Sequence, residues 1–171
     1  MKKVRKKTEP KTDRDNPWST ALRILTRRDH SQAELRKKLI DKGFDAELVH
    51  TTMQRCAELG YLDDARFALT RATSLMNRGR AVGHRILADL RRRGISEELA
   101  VQALAAAREA YDEDTLLTNL LARKFPDFNY KTAPASEKRR VVNFLQRRGF
   151  VTDRILDQLT RKGIATDNED R

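Results

Sequence analysis

Asp63 and Asp64 are adjacent carboxylates, the pair in this chain best suited to acid–base or metal chemistry, and Asp112, Glu113 and Asp114 form a second acidic run. Neither group has the company such chemistry needs. There is no nucleophile beside them, and His30, His50 and His84 show no zinc-ligand spacing. Both acidic runs suit a helix N-terminus instead, where the positive end of the dipole stabilises carboxylates. Gly79 and Gly83 bracket Arg80 in a way that suggests a phosphate loop, yet the Walker spacing and its Lys-Ser/Thr are missing, so a turn between helices is expected. Cys56, the single cysteine, rules out a disulfide framework and a thiolate metal cluster, and it falls on the apolar face of an expected helix as a small buried hydrophobe. The residues imply no catalytic site, no cofactor and no metal.

What the chain does carry is positive charge. Lys and Arg number 36 against 25 Asp and Glu, a formal net charge of +11. A surplus of that size favours polyanionic partners, because basic side chains release counterions from phosphates. The densest segment holds Arg71, Arg78, Arg80, Arg85, Arg91, Arg92 and Arg93, with Asp89 its only acid. Arginine rather than lysine throughout suits bidentate contacts to phosphate or carboxylate. A second group comprises Arg27, Arg28, Arg36, Lys37 and Lys38, and a third Arg139, Arg140, Arg147 and Arg148. Several of these fall at helix ends, where neutralising the negative end explains them equally well. A solvated helix face with internal ion pairs is the competing reading of the main segment.

These side chains must be positioned by helices. The apolar share is 39%, with few aromatics, and no stretch alternates as a strand does. A three-part marker organises the chain: Leu, two variable residues, a basic residue, Gly, then Phe or Ile. It occurs at Leu39–Phe44, Leu90–Ile95 and Leu145–Phe150, and an apolar residue (Leu35, Ile86, Val141) precedes each marker Leu by one helical turn. The Gly supplies a left-handed stop, the basic residue offsets the helix end, and Asp45, Ser96 or Thr152 is the expected cap of the next helix. Spacings of 51 and 55 residues between the glycines indicate internal repeats.

Each repeat resolves into three helices, expected at about 17–28, 31–42 and 45–59, then 63–77, 82–93 and 96–110, then 113–125, 136–148 and 152–161. Ser31 and Glu34 form a capping-box pattern. Leu48, Val49, Thr52, Met53 and Cys56 are expected on one inner face, and Ala65, Ala68, Leu69, Ala72 and Met76 on another; core packing is expected for Tyr61, Phe67 and Tyr111. The expected fold is all-α, an elongated tandem array of three helix-turn-helix-like repeats at 17–62, 63–111 and 112–162. A basic arm over 1–16, expected to be disordered, precedes it and a polar tail over 163–171 follows. No apolar run approaches the roughly 18 residues of a membrane span, and the N-terminus lacks the apolar region of a secretory signal, so a cytoplasmic location is expected.

Three segments resemble one family in that family's order. Gly60-Tyr61-Leu62-Asp63-Asp64-Ala65-Arg66-Phe67-Ala68 is similar to the stretch joining the first two repeats of RecX proteins. Arg85 to Ile95 resembles the core of that family's second repeat, with Asp89 and Arg93 where Glu and Lys are common, and Arg147-Arg148-Gly149-Phe150 resembles the end of its third. The resemblance covers roughly residues 20–160 and implies a non-enzymatic modulator of RecA, the bacterial strand-exchange recombinase. It implies binding to RecA and its filament on DNA, and restraint of ATP hydrolysis, strand exchange and the SOS response. Site residues expected at the filament or DNA are Arg71, Arg78, Arg80, Arg85, Arg91, Arg92, Arg93, Lys37, Lys38, Arg147 and Arg148, through non-specific phosphate contacts, with the chain acting as a monomer. The alternative is a direct DNA-binding protein reading the major groove, for which the Ala-, Leu- and Glu-rich helix Ser96–Ala110 is a poor reader.

Overall fold

The computed structural model describes residues 16–165, so the expectations for the N-terminal arm and for the tail from 166 onward lie outside the described residues. Nine α-helices and no strand are found among them: α1 Pro17–Leu25, α2 Gln32–Asp41, α3 Ala46–Glu58, α4 Asp64–Asn77, α5 His84–Arg92, α6 Glu97–Ala110, α7 Glu113–Lys124, α8 Ala135–Gln146 and α9 Thr152–Ala165. The all-helical fold expected from sequence is the one observed. The chain divides into two compact units, one ending at Phe67 and the other beginning at Ala68.

Local chemistry explains the helix boundaries. Asn16, Ser31, Asp45, Ser96 and Asp112 each accept a hydrogen bond from a first-turn amide of the helix they open, satisfying a donor that has no partner within the helix. Pro17 stands at the first helical position, where its missing N–H costs nothing. The marker glycines end helices as the pattern requires. At α2, Gly43 N donates to the Ile40 carbonyl (2.8 Å) and Phe44 N to the Leu39 carbonyl (3.3 Å), with φ +86° at Gly43. At α5 the same pair of bonds runs from Gly94 to Arg91 (2.9 Å) and from Ile95 to Leu90 (3.2 Å). Both are Schellman closures.

Within the first unit, Leu35, Leu39, Val49, Met53 and Cys56 form the core, and Trp18, Ile24 and Phe44 pack against it. Thr20, His30, Ser31 and Thr52 are the polar residues taken inside. In the second unit, Met76, Ile86, Leu90, Leu117, Leu121, Leu145 and Ile155 are fully buried. Each marker Leu and the apolar residue one turn before it is fully buried in all three copies.

Several expectations need correction. Helix α1 stops at Leu25, not 28, because Arg27 N turns back to the Ile24 carbonyl and the Thr26 hydroxyl donates to the Arg23 carbonyl. Thr152 is the first residue of α9 rather than its cap: Ile155 N bonds the Val151 carbonyl, and the Thr152 hydroxyl accepts from Gln146 Nε2 at 2.9 Å. Leu48 is 55% exposed, since the buried stripe of α3 runs through Val49, Thr52, Met53 and Cys56, leaving Leu48 a third of a turn outside it. Ala65 and Leu69 are likewise exposed, and Phe67 and Leu75 take their places beside Ala68, Ala72 and Met76. Tyr61 is exposed and Tyr111 only half-buried, so of the three junction aromatics Phe67 alone packs inside.

A candidate polyanion interface around an arginine-rich turn

The basic segment from Arg71 to Arg93 follows the end of α4, a turn, and α5. Its only acid, Asp89, lies on the inner side of α5 and organises three of the seven arginines. Arg71 donates Nε and Nη2 to its two carboxylate oxygens (2.8 and 3.2 Å), Arg93 Nε donates at 3.0 Å, and Arg92 Nη2 lies 3.6 Å away. Burial raises the Asp89 pKa, but the hydrogen bonds and charges of Arg71 and Arg93 outweigh it and hold the carboxyl below its ordinary range. Arg91 pairs with Glu97 across the α5–α6 turn through its Nε and Nη2. Arg71 and Arg93 are therefore largely structural, Arg91 is shared with Glu97, and Arg92 stays mostly exposed.

Arg78, Arg80 and Arg85 are different. All three are exposed, and no carboxylate among the described residues lies within ion-pair distance of them. They flank a turn whose backbone is tightly held. Gly79 N donates to Met76 O (2.7 Å) and Arg80 N to Leu75 O (2.9 Å), closing α4. Gly83, at φ +49°, opens α5. Between them Val82 N donates to the Arg148 carbonyl at 2.8 Å. The expected turn, rather than a phosphate loop, is what Gly79 and Gly83 form.

Arg148 returns the contact. Its Nε donates to the Gly79 carbonyl (3.1 Å), its Nη1 to the Phe144 carbonyl (3.1 Å), and its guanidinium lies 3.5 Å from the centroid of the Phe144 ring. Desolvation lowers its pKa, and the neighbouring charges of Arg147 and Arg123 lower it further. It is a strut tying α8 to the α4–α5 turn, while Arg147 beside it is exposed. Arg123, which the sequence reading passed over, also converges here: its Nη2 stands 3.7 Å from where a Cβ on Gly79 would be. Its only sequence signal is the basic pair Arg123-Lys124 in the last turn of α7. A cleft of about 390 Å³ beside it is lined by Asn77, Gly79, Tyr111, Asn119 and Arg123.

The remaining expected site residues belong to the first unit. Lys37 pairs loosely with Asp41 (3.6 Å) and Lys38 is exposed, both on the outer side of α2. The tempting carboxylates are used by the fold. Asp63 accepts from Arg66 N (2.9 Å), Asp64 from Gln32 N (2.8 Å) and Asp112 from Thr115 N (2.7 Å). No group of three or more His, Cys, Asp or Glu suited to a metal is found among the described residues, and no described helix is long and apolar enough to cross a membrane.

Comparison with known proteins agrees with this architecture. A family model described as RecX, first three-helix domain, matches residues 18–56, and one described as RecX, second three-helix domain, matches residues 63–104. The chain is 43% identical over 143 residues to the regulatory protein RecX of Syntrophotalea carbinolica, covering 84% of this chain and 92% of that one. It is 38% identical over 145 residues to the regulatory protein RecX of Trichlorobacter lovleyi, covering 85% and 94%. A crystal structure of RecX from Lactobacillus salivarius superposes with a TM-score of 0.65 at 19% identity, over 87% of this chain and 95% of that one, which shows the shared fold. By its sequence matches over nearly its whole described length, the chain belongs to the RecX family of regulatory proteins.

Proposed function

We propose that this chain binds RecA and the filament RecA forms on DNA, and restrains its ATP hydrolysis, strand exchange and SOS activity without catalysing a reaction of its own. The observation that carries the electrostatic half of this reading is the set Arg78, Arg80 and Arg85, exposed and without a carboxylate partner among the described residues, on a hydrogen-bonded turn. Charges held in that way are available for phosphate, and their backbone is already ordered before binding. Arg147 and the convergent Arg123 extend the same basic surface, whereas Arg71, Arg93 and Arg148 support it from within. Under this reading the repeats 17–62, 63–111 and 112–162 are linked binding modules of a cytoplasmic monomer that needs no cofactor, and their weak contacts add through effective concentration.

The test is RecA's ATP hydrolysis on single-stranded DNA as purified protein is titrated in, with filament co-sedimentation measured in parallel. Suppression below one chain per RecA protomer indicates blocked filament growth; suppression only near saturation indicates binding along the filament. The triple variant R78E/R80E/R85E is expected to lose most filament affinity at low salt. Its neutral counterpart R78Q/R80Q/R85Q is expected to flatten the salt dependence of single-strand binding by about 2 in log–log slope, at about 0.7 per phosphate contact. Unchanged binding in both variants removes this turn from the mechanism. Tight sequence-specific duplex binding without RecA replaces the filament reading with direct DNA recognition.

A further inference from the structure

Over their described residues alone the two units differ in charge. Over residues 16–67, nine Lys and Arg stand against eight Asp and Glu; over residues 68–165, nineteen stand against eleven. Counted over the whole of each unit, sixteen Lys and Arg stand against eleven Asp and Glu in residues 1–67 and twenty against fourteen in residues 68–171, so net charge leaves either unit able to attract a polyanion. The first unit exposes a different kind of surface. Leu59 and Tyr61, on either side of Gly60 at the end of α3, are 52% and 50% exposed. The Tyr61 ring lies 6.4 Å from that of half-buried Trp18, tilted by 41°, and the Arg55 guanidinium stands 4.2 Å from the Trp18 ring centroid.

The turn presenting these side chains is braced. Gly60 N donates to Ala57 O (3.0 Å), Tyr61 N to Cys56 O (2.9 Å), and Arg66 Nη2 donates to the Gly60 carbonyl (3.1 Å). No described residue hydrogen-bonds the Tyr61 hydroxyl. Tyr, Trp and Arg are the residues that dominate interface energetics, and a turn ordered in advance loses little entropy on docking. Arg55 and Arg66 on one hand, Glu58 and Asp63 on the other, surround the aromatic pair in sequence with charges of both signs. That mixture selects among protein surfaces and fixes orientation. It opposes base stacking, because the two acids would repel the phosphates flanking a stacked base.

We infer that the Trp18–Leu59–Tyr61 turn is a protein-docking surface, which seats in an apolar depression rimmed by both charge signs on the recombinase protomer itself rather than on its DNA. This deepens the proposed function and rests on it: the arginine-rich turn supplies affinity for the polyanion, and the turn at the end of α3 recognises protein. The test uses the full chain, the variant L59S/Y61S, and two probes: RecA without DNA, and a single-stranded oligonucleotide without RecA. The variant is expected to lose about thirtyfold or more in RecA affinity, the scale of a lost hot spot, with its oligonucleotide affinity unchanged. Should the double variant lose its helical circular dichroism, Y61K alone carries the same expectation from an exposed position. Wild-type affinity for RecA in a folded variant overturns the docking surface and leaves the filament reading standing. A selective loss of oligonucleotide binding overturns it in favour of base stacking. Failure of the wild-type chain to bind RecA at all overturns the filament reading, and the docking surface with it.

Discussion

Replacing Gly149 with Ala tests whether the glycine marker does one job or two. As a helix stop it needs only its left-handed backbone, at φ +101°, which costs a residue bearing a Cβ about 1–2 kcal/mol. The structure adds a second demand. A Cβ at this position would lie 2.2 Å from the Val82 carbonyl oxygen and 3.0 Å and 3.1 Å from the Arg85 Cγ and Cβ. A backbone oxygen cannot swing aside, so the α8 turn must move away from the α4–α5 turn. That movement gives up the 2.8 Å hydrogen bond from Val82 N to the Arg148 carbonyl, worth about 1 kcal/mol, and adds overpacking strain of about 1–3 kcal/mol. The expected cost is about 4 kcal/mol in all. Gly43 is the control, because at φ +86° a Cβ there meets nothing within 4 Å and only the backbone term of about 1–2 kcal/mol remains. With two compact units a single melting curve mixes transitions, so the assay is native-state amide exchange read at Val82. G149A should speed Val82 exchange by about three powers of ten, while G43A should leave it alone. Equal, small effects of the two substitutions on their own units would refute the reasoning.

Two further perturbations follow from single residues. D89N leaves Arg71 and Arg93 without their charged acceptor and is expected to destabilise the second unit by about 2 kcal/mol, read by native-state amide exchange within that unit at pH 7. Because the Asp89 carboxyl is held below its ordinary value of 3.8, the difference between wild type and variant should be present above pH 4 and shrink as pH falls below it; a difference that grows in acid would contradict the ion-pair account. Burial, followed by the hydrogen bond to the Arg28 carbonyl at 2.9 Å, governs His30, and the net effect lowers its pKa from 6.5. The unfolded chain then takes up the proton more readily, so first-unit stability is full above pH 6.5 and falls below it. H30N should flatten that decline between pH 7.5 and 5, and an unchanged slope in the stability read from amide exchange within the first unit would exclude His30 as its source.

The helices were legible in the sequence because their ends are decided locally. Gly43, Gly94, Asp45 and Ser96 act on carbonyls and amides within a few residues of themselves, so spacing alone reveals their roles. The candidate site was legible only as a composition. Whether an arginine is offered to a partner depends on what lies across the fold: Arg71 is claimed by a carboxylate 18 residues away, and Arg148 by a carbonyl 69 residues away. Nothing near Arg78, Arg80 or Arg85 in sequence distinguishes them from those two. The second role of Gly149 was hidden for the same reason, since Val82 reaches it only through tertiary packing. Leu48 and Tyr61 were misjudged because hydrophobicity indicates a preference for the interior, while the width of the buried stripe sets how many such residues are admitted.

The ring pair at the end of α3 also has an optical consequence. Trp18 is the only tryptophan in the chain, and it lies against both Arg55 and Tyr61. At a centroid separation of 6.4 Å, light absorbed by Tyr61 is handed to Trp18, whose emission in turn responds to the cation beside its ring. The protein thus contains one tryptophan at one known address in its first unit, and, excited at the red edge where tyrosine does not absorb, its emission changes on mixing with a tryptophan-free partner report that address. Events confined to the arginine-rich turn of the second unit are dark in the same experiment, so one cuvette separates the two kinds of encounter without a single substitution.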